Sequence, residues 1–293
     1  DASQRFSRVG IMGVARALMK YLEECGLAGR MAFAGSYRRG RETVGDLDIL
    51  AVSEDSGELM EVFVAYEDVN EVIAQGATKS SVVLRSGLQV DLRVIEESSY
   101  GAALHYFTGS QAHNIALRRR AQARGLKVNE YGVFEGDHAV AGKSEADVFA
   151  AVGLEEIPPE LREGRGELEA AENNGLPELL DRAEIRGDLH SHSSASDGRH
   201  SIEEMALAAK EMGYQYLGVT DHSKRLTIAN GLDESRLSRQ MDEIDELNSS
   251  HPGIHVFKSI EVDILDDGSL DLPDGVLRRL DYVIGSVHSR FNL

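Results

Sequence analysis

From Phe6 to Leu27 apolar residues return at helical spacing (Ile11, Val14, Ala15, Leu18, Tyr21, Leu22), and the run stops at Gly26, which predicts an amphipathic helix. The short apolar run Met31-Ala32-Phe33-Ala34 reads as a strand entering a Gly35-Ser36 turn. A second strand is expected over 46–52, a helix around 58–75, and strands over 81–85 and 88–95. Residues 98–125 read as helical, broken at Thr108-Gly109. A Glu-rich stretch from about 150 to 183 carries Pro158-Pro159, Gly164, Gly166 and Gly175, the composition of an interdomain connector. Beyond it the pattern becomes strand, polar residues, helix, repeated. Strands are expected over 185–190, 216–222, 254–263 and 282–288, with helices over 201–212 and 234–248 between the first three. The chain is therefore predicted to be α/β, with a parallel sheet or barrel in its second half.

Composition narrows the class. With 293 residues, 42% hydrophobic and 28% charged, the chain is long enough for two domains. No stretch approaches the roughly 18–20 uncharged apolar residues of a membrane span, so a cytoplasmic protein without a membrane partner is expected. Cys25 is the single cysteine, so no intramolecular disulfide can form, and a reducing compartment is expected. The chain opens on Asp1 and closes on Phe291-Asn292-Leu293; both ends read as cuts within a longer protein. The net charge of −19 is unlike a nucleic-acid binder, but residues 1–150 carry only −4 of it and 151–293 the other −15. Within 101–130 the sign reverses: Arg118, Arg119, Arg120, Arg124 and Lys127 stand against Glu130 alone, forming a local basic patch.

Asp46 and Asp48 lie two apart in an expected strand, so both carboxylates point to one face. Asp91 sits between apolar neighbours on another strand, a costly place for an anion without a cation or hydrogen-bond donors. Converging carboxylates suit Mg²⁺ or Mn²⁺, and two such ions could activate a hydroxyl and stabilise a leaving pyrophosphate. The Gly35-Ser36 turn offers backbone N–H groups, and Arg38, Arg39 and Arg41 offer phosphate donors.

Gly35-Ser36-Tyr37-Arg38-Arg39-Gly40 through Gly45-Asp46-Leu47-Asp48 resembles the nucleotidyltransferase signature of family X DNA polymerases, the polymerase beta group. The resemblance continues in Tyr106-Phe107-Thr108-Gly109-Ser110, Asn114, Arg118 and Asn129-Glu130-Tyr131-Gly132. It implies a palm over 31–97 and a thumb over 98–150, preceded by a helix (1–30) leading from an absent fingers region. By resemblance, Asp46 and Asp48 bind both metals and Asp91 the catalytic one. Gly35, Ser36, Arg39 and Gly45 serve the triphosphate, with Arg8 a further candidate at the palm entrance. Tyr106, Phe107 and Gly109 border the sugar, Asn114 reaches the base, and Arg118 contacts the template. The same resemblance turns Arg119, Arg120, Arg124 and Lys127 toward DNA.

The second half carries another constellation. His190 and His192 share a face of an expected strand, Asp197 follows in a loop, and His222, Glu261 and His288 stand at the ends of later strands, where parallel barrels assemble their chemistry. Imidazole with carboxylate suits Zn²⁺, Mn²⁺ or Fe²⁺ and a metal-activated hydroxide. The blocks from Gly187-Asp188-Leu189-His190-Ser191-His192 to Ser286-Val287-His288-Ser289 resemble the polymerase and histidinol phosphatase (PHP) domain. Following a 151–183 linker, residues 184–293 supply about four of the seven strands such a barrel implies. Further ligands are expected beyond Leu293, so this site is expected to be incomplete, with an unpaired edge after the last strand. The resemblance implies gap-filling DNA polymerisation in repair, with gapped or primer-template DNA and dNTPs as partners, a monomeric state, and 3′–5′ exonuclease or end-processing activity from the PHP part. The alternatives are a phosphoesterase with an inactive polymerase part, or a non-catalytic DNA- or nucleotide-binding module.

Overall fold

The structure, a computed structural model, describes residues 5–250 and 253–288. Ser289 and residues 291–293, named above, lie outside them. The chain divides into two compact units, Asp1–Pro177 and Glu178–Leu293.

In the first unit the Ser7 hydroxyl caps the helix Arg8–Glu24, whose Ile11, Ala15, Leu18 and Leu22 are buried at the spacing the sequence predicts. They pack on a five-stranded sheet in the order Arg30–Phe33, Asp46–Val52, Gln89–Val94, Lys79–Leu84, Val69–Gln75. The central pair, Asp46–Val52 with Gln89–Val94, is parallel, and its register sets Asp48 opposite Asp91. Alternation sorts the residues: Leu47, Ile49, Ala51, Val90 and Leu92 enter one core, while Leu50 faces the opposite way, against Tyr100, Ala103 and Leu104. Asp46, Asp48 and Asp91 therefore share the face that helix Tyr100–Thr108 covers farther along the strands.

One expectation fails within this sheet. The helix Ser56–Val64 ends before the predicted position, and Val69–Gln75 is an edge strand pairing antiparallel with Lys79–Leu84. Its β-branched Val69, Val72 and Ile73 suit a strand, but the pairing partner that decides the matter lies across a turn.

Helices Tyr100–Thr108 and Gln111–Gln122 lead into a three-stranded antiparallel sheet (Leu126–Asn129, Gly132–Glu135, His138–Ala141) that the helical periodicity did not reveal. Helix Glu145–Ala151 follows, its Ser144 and Asp147 forming a reciprocal capping box. The stretch expected to be a connector folds back here. Leu154, Ile157, Leu168 and Ala171 join Leu117, Val133 and Phe149 in one core, while Glu155 and Glu156 stay exposed. Apolar positions this widely spaced among glutamates give no periodic signal.

The second unit has a parallel sheet of Gly187–Ser191, Tyr216–Val219 and His255–Lys258, with helices Ile202–Glu211 and Glu234–Ser250 in the connections. The single strand expected over 254–263 is broken at Ser259-Ile260. Beyond the break Glu261–Asp263 pairs with Ile284–Ser286, which is shorter than the expected 282–288. Ile260 is buried in a second small core with Leu237, Met241 and Val262, so the chain steps from one layer to the next at that point. Because the paired strands run parallel, their C-terminal ends gather on one side.

Two candidate metal centres and a nucleotide cleft

The aspartate cluster is built by strand register. Asp46 is exposed, Asp48 half-buried and Asp91 buried. Burial, reinforced by the charges of Asp46 and Asp91, pushes the Asp48 carboxyl up from 3.8 to about 6. Such crowding of anions calls for a cation, and an all-oxygen donor set on one face fits a hard divalent ion. Asp91 is on that face but engaged. Gln89 Nε2 donates to its Oδ1 at 3.1 Å, while Lys79 Nζ stands 3.1 Å and Arg93 Nη2 3.5 Å from its Oδ2. Burial would raise its pKa, but donors from Ser81, Gln89 and Lys79 outweigh that and hold the carboxyl below its ordinary range. Lys79 carried no signal in the sequence, because its meeting with Asp91 depends on the antiparallel pairing of two strands.

Gly35 opens the short helix Gly35–Arg38 with φ of +60°, and a Cβ there would overlap Asp48 Oδ2. Gly35→Ala is accordingly expected to displace the Asp48 carboxylate and weaken divalent-ion binding by about tenfold or more, read by Mn²⁺ electron paramagnetic resonance titration; unchanged Mn²⁺ affinity would refute this role.

Beside the aspartates, Ser36, Arg39, Gly45 and Asp46 line one cavity of about 590 Å³. Arg39 also borders a second cavity of about 370 Å³, lined by Tyr106, Phe107, Gly109, Asn114 and Arg118. The nucleotide-binding residues read from the sequence thus fall into two adjoining hollows joined at Arg39, Gly35 lying behind them against Asp48. Tyr106 and Phe107 are half-buried and meet edge to face at 5.2 Å, with the Arg93 guanidinium 4.5 Å from the Phe107 ring centre. Asn114 Nδ2 donates to the Tyr106 carbonyl at 2.7 Å, and its Oδ1 is buried without a hydrogen-bond partner among the described residues.

Other arginines go elsewhere. Arg5 lines the larger cavity, whereas Arg8 donates to the Tyr37 carbonyl at 3.2 Å. Arg38, read from the sequence as a phosphate donor, is engaged within the unit: it reaches Thr108 Oγ1 at 2.7 Å and forks onto Glu145 at 2.9 and 2.5 Å. In the basic patch, Arg119, Arg124 and Lys127 are exposed and Arg118 is half-buried. Arg120 departs from the expectation of a DNA contact. It donates to the Val152 and Gly153 carbonyls at 3.0 and 3.3 Å and to Glu172 at 2.8 Å, capping the helix that ends at Ala151.

In the second unit Glu261 is the hub. Its Oε2 lies 3.4 Å from His190 Nε2, 3.3 Å from His192 Nε2 and 3.2 Å from His222 Nδ1, and its Oε1 lies 3.2 Å from His288 Nε2. Asp197 adds contacts of 2.9 Å to His192 and 3.5 Å to His222. All six ligand candidates therefore meet, in three overlapping groups of His190/His192/Glu261, His192/Asp197/His222 and His222/Glu261/His288. Burial and the neighbouring His192 lower the His222 pKa, favouring the neutral form that ligates, and its buried Nδ1, though close to Glu261, makes no aligned hydrogen bond among the described residues. This nitrogen and oxygen set fits a borderline transition metal.

Two supporting carboxylates had gone unassigned. Asp263 Oδ1 holds His288 Nδ1 at 3.0 Å. Asp221, fully buried, accepts from Ser193 N (2.8 Å), Ser193 Oγ (2.6 Å), Gln240 Nε2 (2.5 Å) and Ser196 Oγ, fixing the loop that carries Asp197.

The first unit thus has a cleft fitted to divalent ions and phosphate groups, and the second a cluster fitted to transition-metal ions. Comparison with known proteins agrees. Residues 103–163 match the DNA polymerase beta thumb, and residues 188–292 match the PHP domain. The chain is 42% identical over 293 residues to DNA polymerase/3'-5' exonuclease PolX of Bacillus subtilis, a match covering 99% of the chain and 51% of that protein. It is 26% identical over 176 residues to DNA polymerase lambda of Arabidopsis thaliana (53% of the chain, 33% of that protein). It is also 35% identical over 103 residues to a Thermoanaerobacter protein named "Probable phosphatase" (34% of the chain, 40% of that protein). Over 99% of its length the chain thus resembles the family X polymerases that carry a PHP domain. It spans about half the length of the PolX protein it matches. Both families are metal-dependent, and no described helix is long and apolar enough to cross a membrane.

Proposed function

We propose that the first unit is a DNA-directed DNA polymerase that fills short gaps by metal-dependent nucleotidyl transfer. The observation that carries this reading is the meeting of Asp46, Asp48 and Asp91 on one sheet face beside two cavities joined at Arg39. Mg²⁺ or Mn²⁺, when bound by these aspartates, supplies an activated 3′-hydroxyl and neutralises charge on the leaving pyrophosphate. The Ser36 hydroxyl and the backbone at Gly45 line the triphosphate cavity, and Arg39 and Arg5 bring fixed positive charge to it. Tyr106 and Phe107 present half-buried ring surface to the sugar, leaving little room for a ribose 2′-hydroxyl. Asn114, which lines the smaller cavity, reads the base and Arg118 the template, while Arg119, Arg124 and Lys127 offer the exposed charge for the phosphate backbone.

The second unit carries its own reading, favoured by the six-ligand cluster around Glu261. It is a phosphoesterase centre for Zn²⁺, Mn²⁺ or Fe²⁺ that trims DNA 3′ ends. The neutral imidazoles and Glu261 hold the ions, and Asp221 and Asp263 keep them oriented. One experiment separates the two activities: primer extension and 3′-end degradation on a singly gapped duplex, with Asp46→Ala and His190→Ala as separate variants. Asp46→Ala is expected to abolish extension, and His190→Ala to leave extension intact while removing any 3′-end degradation the chain performs. Extension that survives Asp46→Ala would remove the proposed site.

A further inference from the structure

The stretch that reads in sequence as connector sends one carboxylate into the cleft. Glu163 Oε1 lies 2.8 Å from Arg39 Nε, and its Oε2 lies 3.9 Å from Arg41 Nη1. Its side chain is 19% exposed and lines the same cavity as Ser36, Gly45 and Asp46. A single carboxylate thus bridges two guanidinium groups with its two oxygens, as a phosphate group would.

The backbone around Glu163 is fixed on both sides. Arg162 N and Nε donate within the unit, to Pro159 O and Ile157 O, and its carbonyl accepts from Ser110 N at 3.0 Å. On the other side Glu167 accepts from Gly164 N at 3.0 Å and Arg165 N at 2.6 Å. Gly164 has φ of +70°, and a Cβ there would press on Ala112, so the chain lies directly on helix Gln111–Gln122. With the backbone held, only the Glu163 side chain can leave Arg39, by rotation over an open cavity.

We propose that Glu163 is an anionic placeholder that competes with the polyphosphate for Arg39 and Arg41. It leaves these arginines when a triphosphate enters and returns as pyrophosphate departs. It thereby weakens the retention of both, favouring product release over reversal. This rests on the reading of the cavity as a triphosphate site. A carboxylate that close to a bound triphosphate would repel it, so occupancy by both is disfavoured. The opposite role, a positioning residue that presents Arg39 to substrate, predicts the opposite sign.

The test uses the full chain in Mg²⁺ without DNA, where no turnover occurs, titrated calorimetrically with dATP and separately with inorganic pyrophosphate. Wild type is compared with Glu163→Gln and Glu163→Ala. Both variants are expected to bind each ligand roughly 3- to 10-fold more tightly, the range set by loss of a part-buried ion pair. Unchanged or weaker binding in folded variants, with midpoints of thermal unfolding matching wild type, overturns the placeholder. Wild type that binds neither ligand, or binds as well after Arg39→Ala, overturns the triphosphate reading and the placeholder with it.

Discussion

Asp48→Asn is expected to lower nucleotide incorporation by about a thousandfold or more, and also to make the metal-free protein more stable at neutral pH. The first effect follows from losing a charged ligand shared by the reacting centre, where about 4 kcal/mol of transition-state stabilisation corresponds to that factor. The second follows from the sign of the pKa shift. The folded protein holds the Asp48 proton up to about pH 6, against 3.8 for a free aspartate side chain. The folded state therefore binds this proton more tightly, and the associated stability is full below the lower value and lost as pH rises through the upper one. The difference is worth on the order of 2–3 kcal/mol. Asparagine, neutral throughout, escapes that loss. Urea denaturation in EDTA between pH 4 and 7.5 should show the wild type falling relative to Asp48→Asn, with the gap established by about pH 6.5, and Mg²⁺ should narrow it. Parallel pH profiles for the two proteins would show that neither burial nor the neighbouring aspartates penalise the Asp48 charge.

Glu145→Gln is expected to cost the first unit about 3–5 kcal/mol, because it leaves buried arginine charge without a counterion. Arg162 is completely buried and donates to Glu145 Oε1 at 2.5 Å, while Arg38 forks onto both carboxylate oxygens from the helix that carries Ser36. Burial alone would raise the Glu145 pKa; hydrogen bonds and charge from Arg38 and Arg162 overcome it and hold the carboxyl at about 2. A depressed acid pKa means that its stabilisation is present above about pH 4.5 and lost as pH falls toward 2. At neutral pH the variant should unfold roughly 10 °C lower, since each kcal/mol moves a domain of this size by about 2–4 °C. Differential scanning calorimetry decides the point, and a shift under 2 °C would mean that the triad adds little. The triple replacement of Arg38, Glu145 and Arg162 by Met is expected to recover much of the loss, as removing all the charge removes the imbalance.

These two sites differ in how far the sequence revealed them. Asp46 and Asp48 were legible because strand alternation places residues two apart on one face whatever the partner strand. The same local rule revealed His190 and His192. Their convergence with Asp91, Glu261 and His288 was inferred from position in successive strands and is realised by parallel register, Asp48 against Asp91 and His222 bridging to Glu261. Arg38 and Arg39, adjacent and alike in sequence, were both read as phosphate donors. One helical step separates their directions by about 100°, and the fold sends Arg38 into the Glu145 triad and Arg39 into the cleft.

By itself, then, the sequence determined the α/β class, the two-part organisation, and which side chains could hold metal, since these depend on residue type and short-range periodicity. The tertiary structure alone decided that Val69–Gln75 is a strand, that the acidic stretch after residue 150 folds as part of the first unit, and that Arg120 is a helix cap. It also decided that Lys79 holds Asp91 and Glu163 reaches Arg39. Those contacts join residues with no fixed spacing along the chain, and only packing and strand pairing bring them within hydrogen-bonding distance.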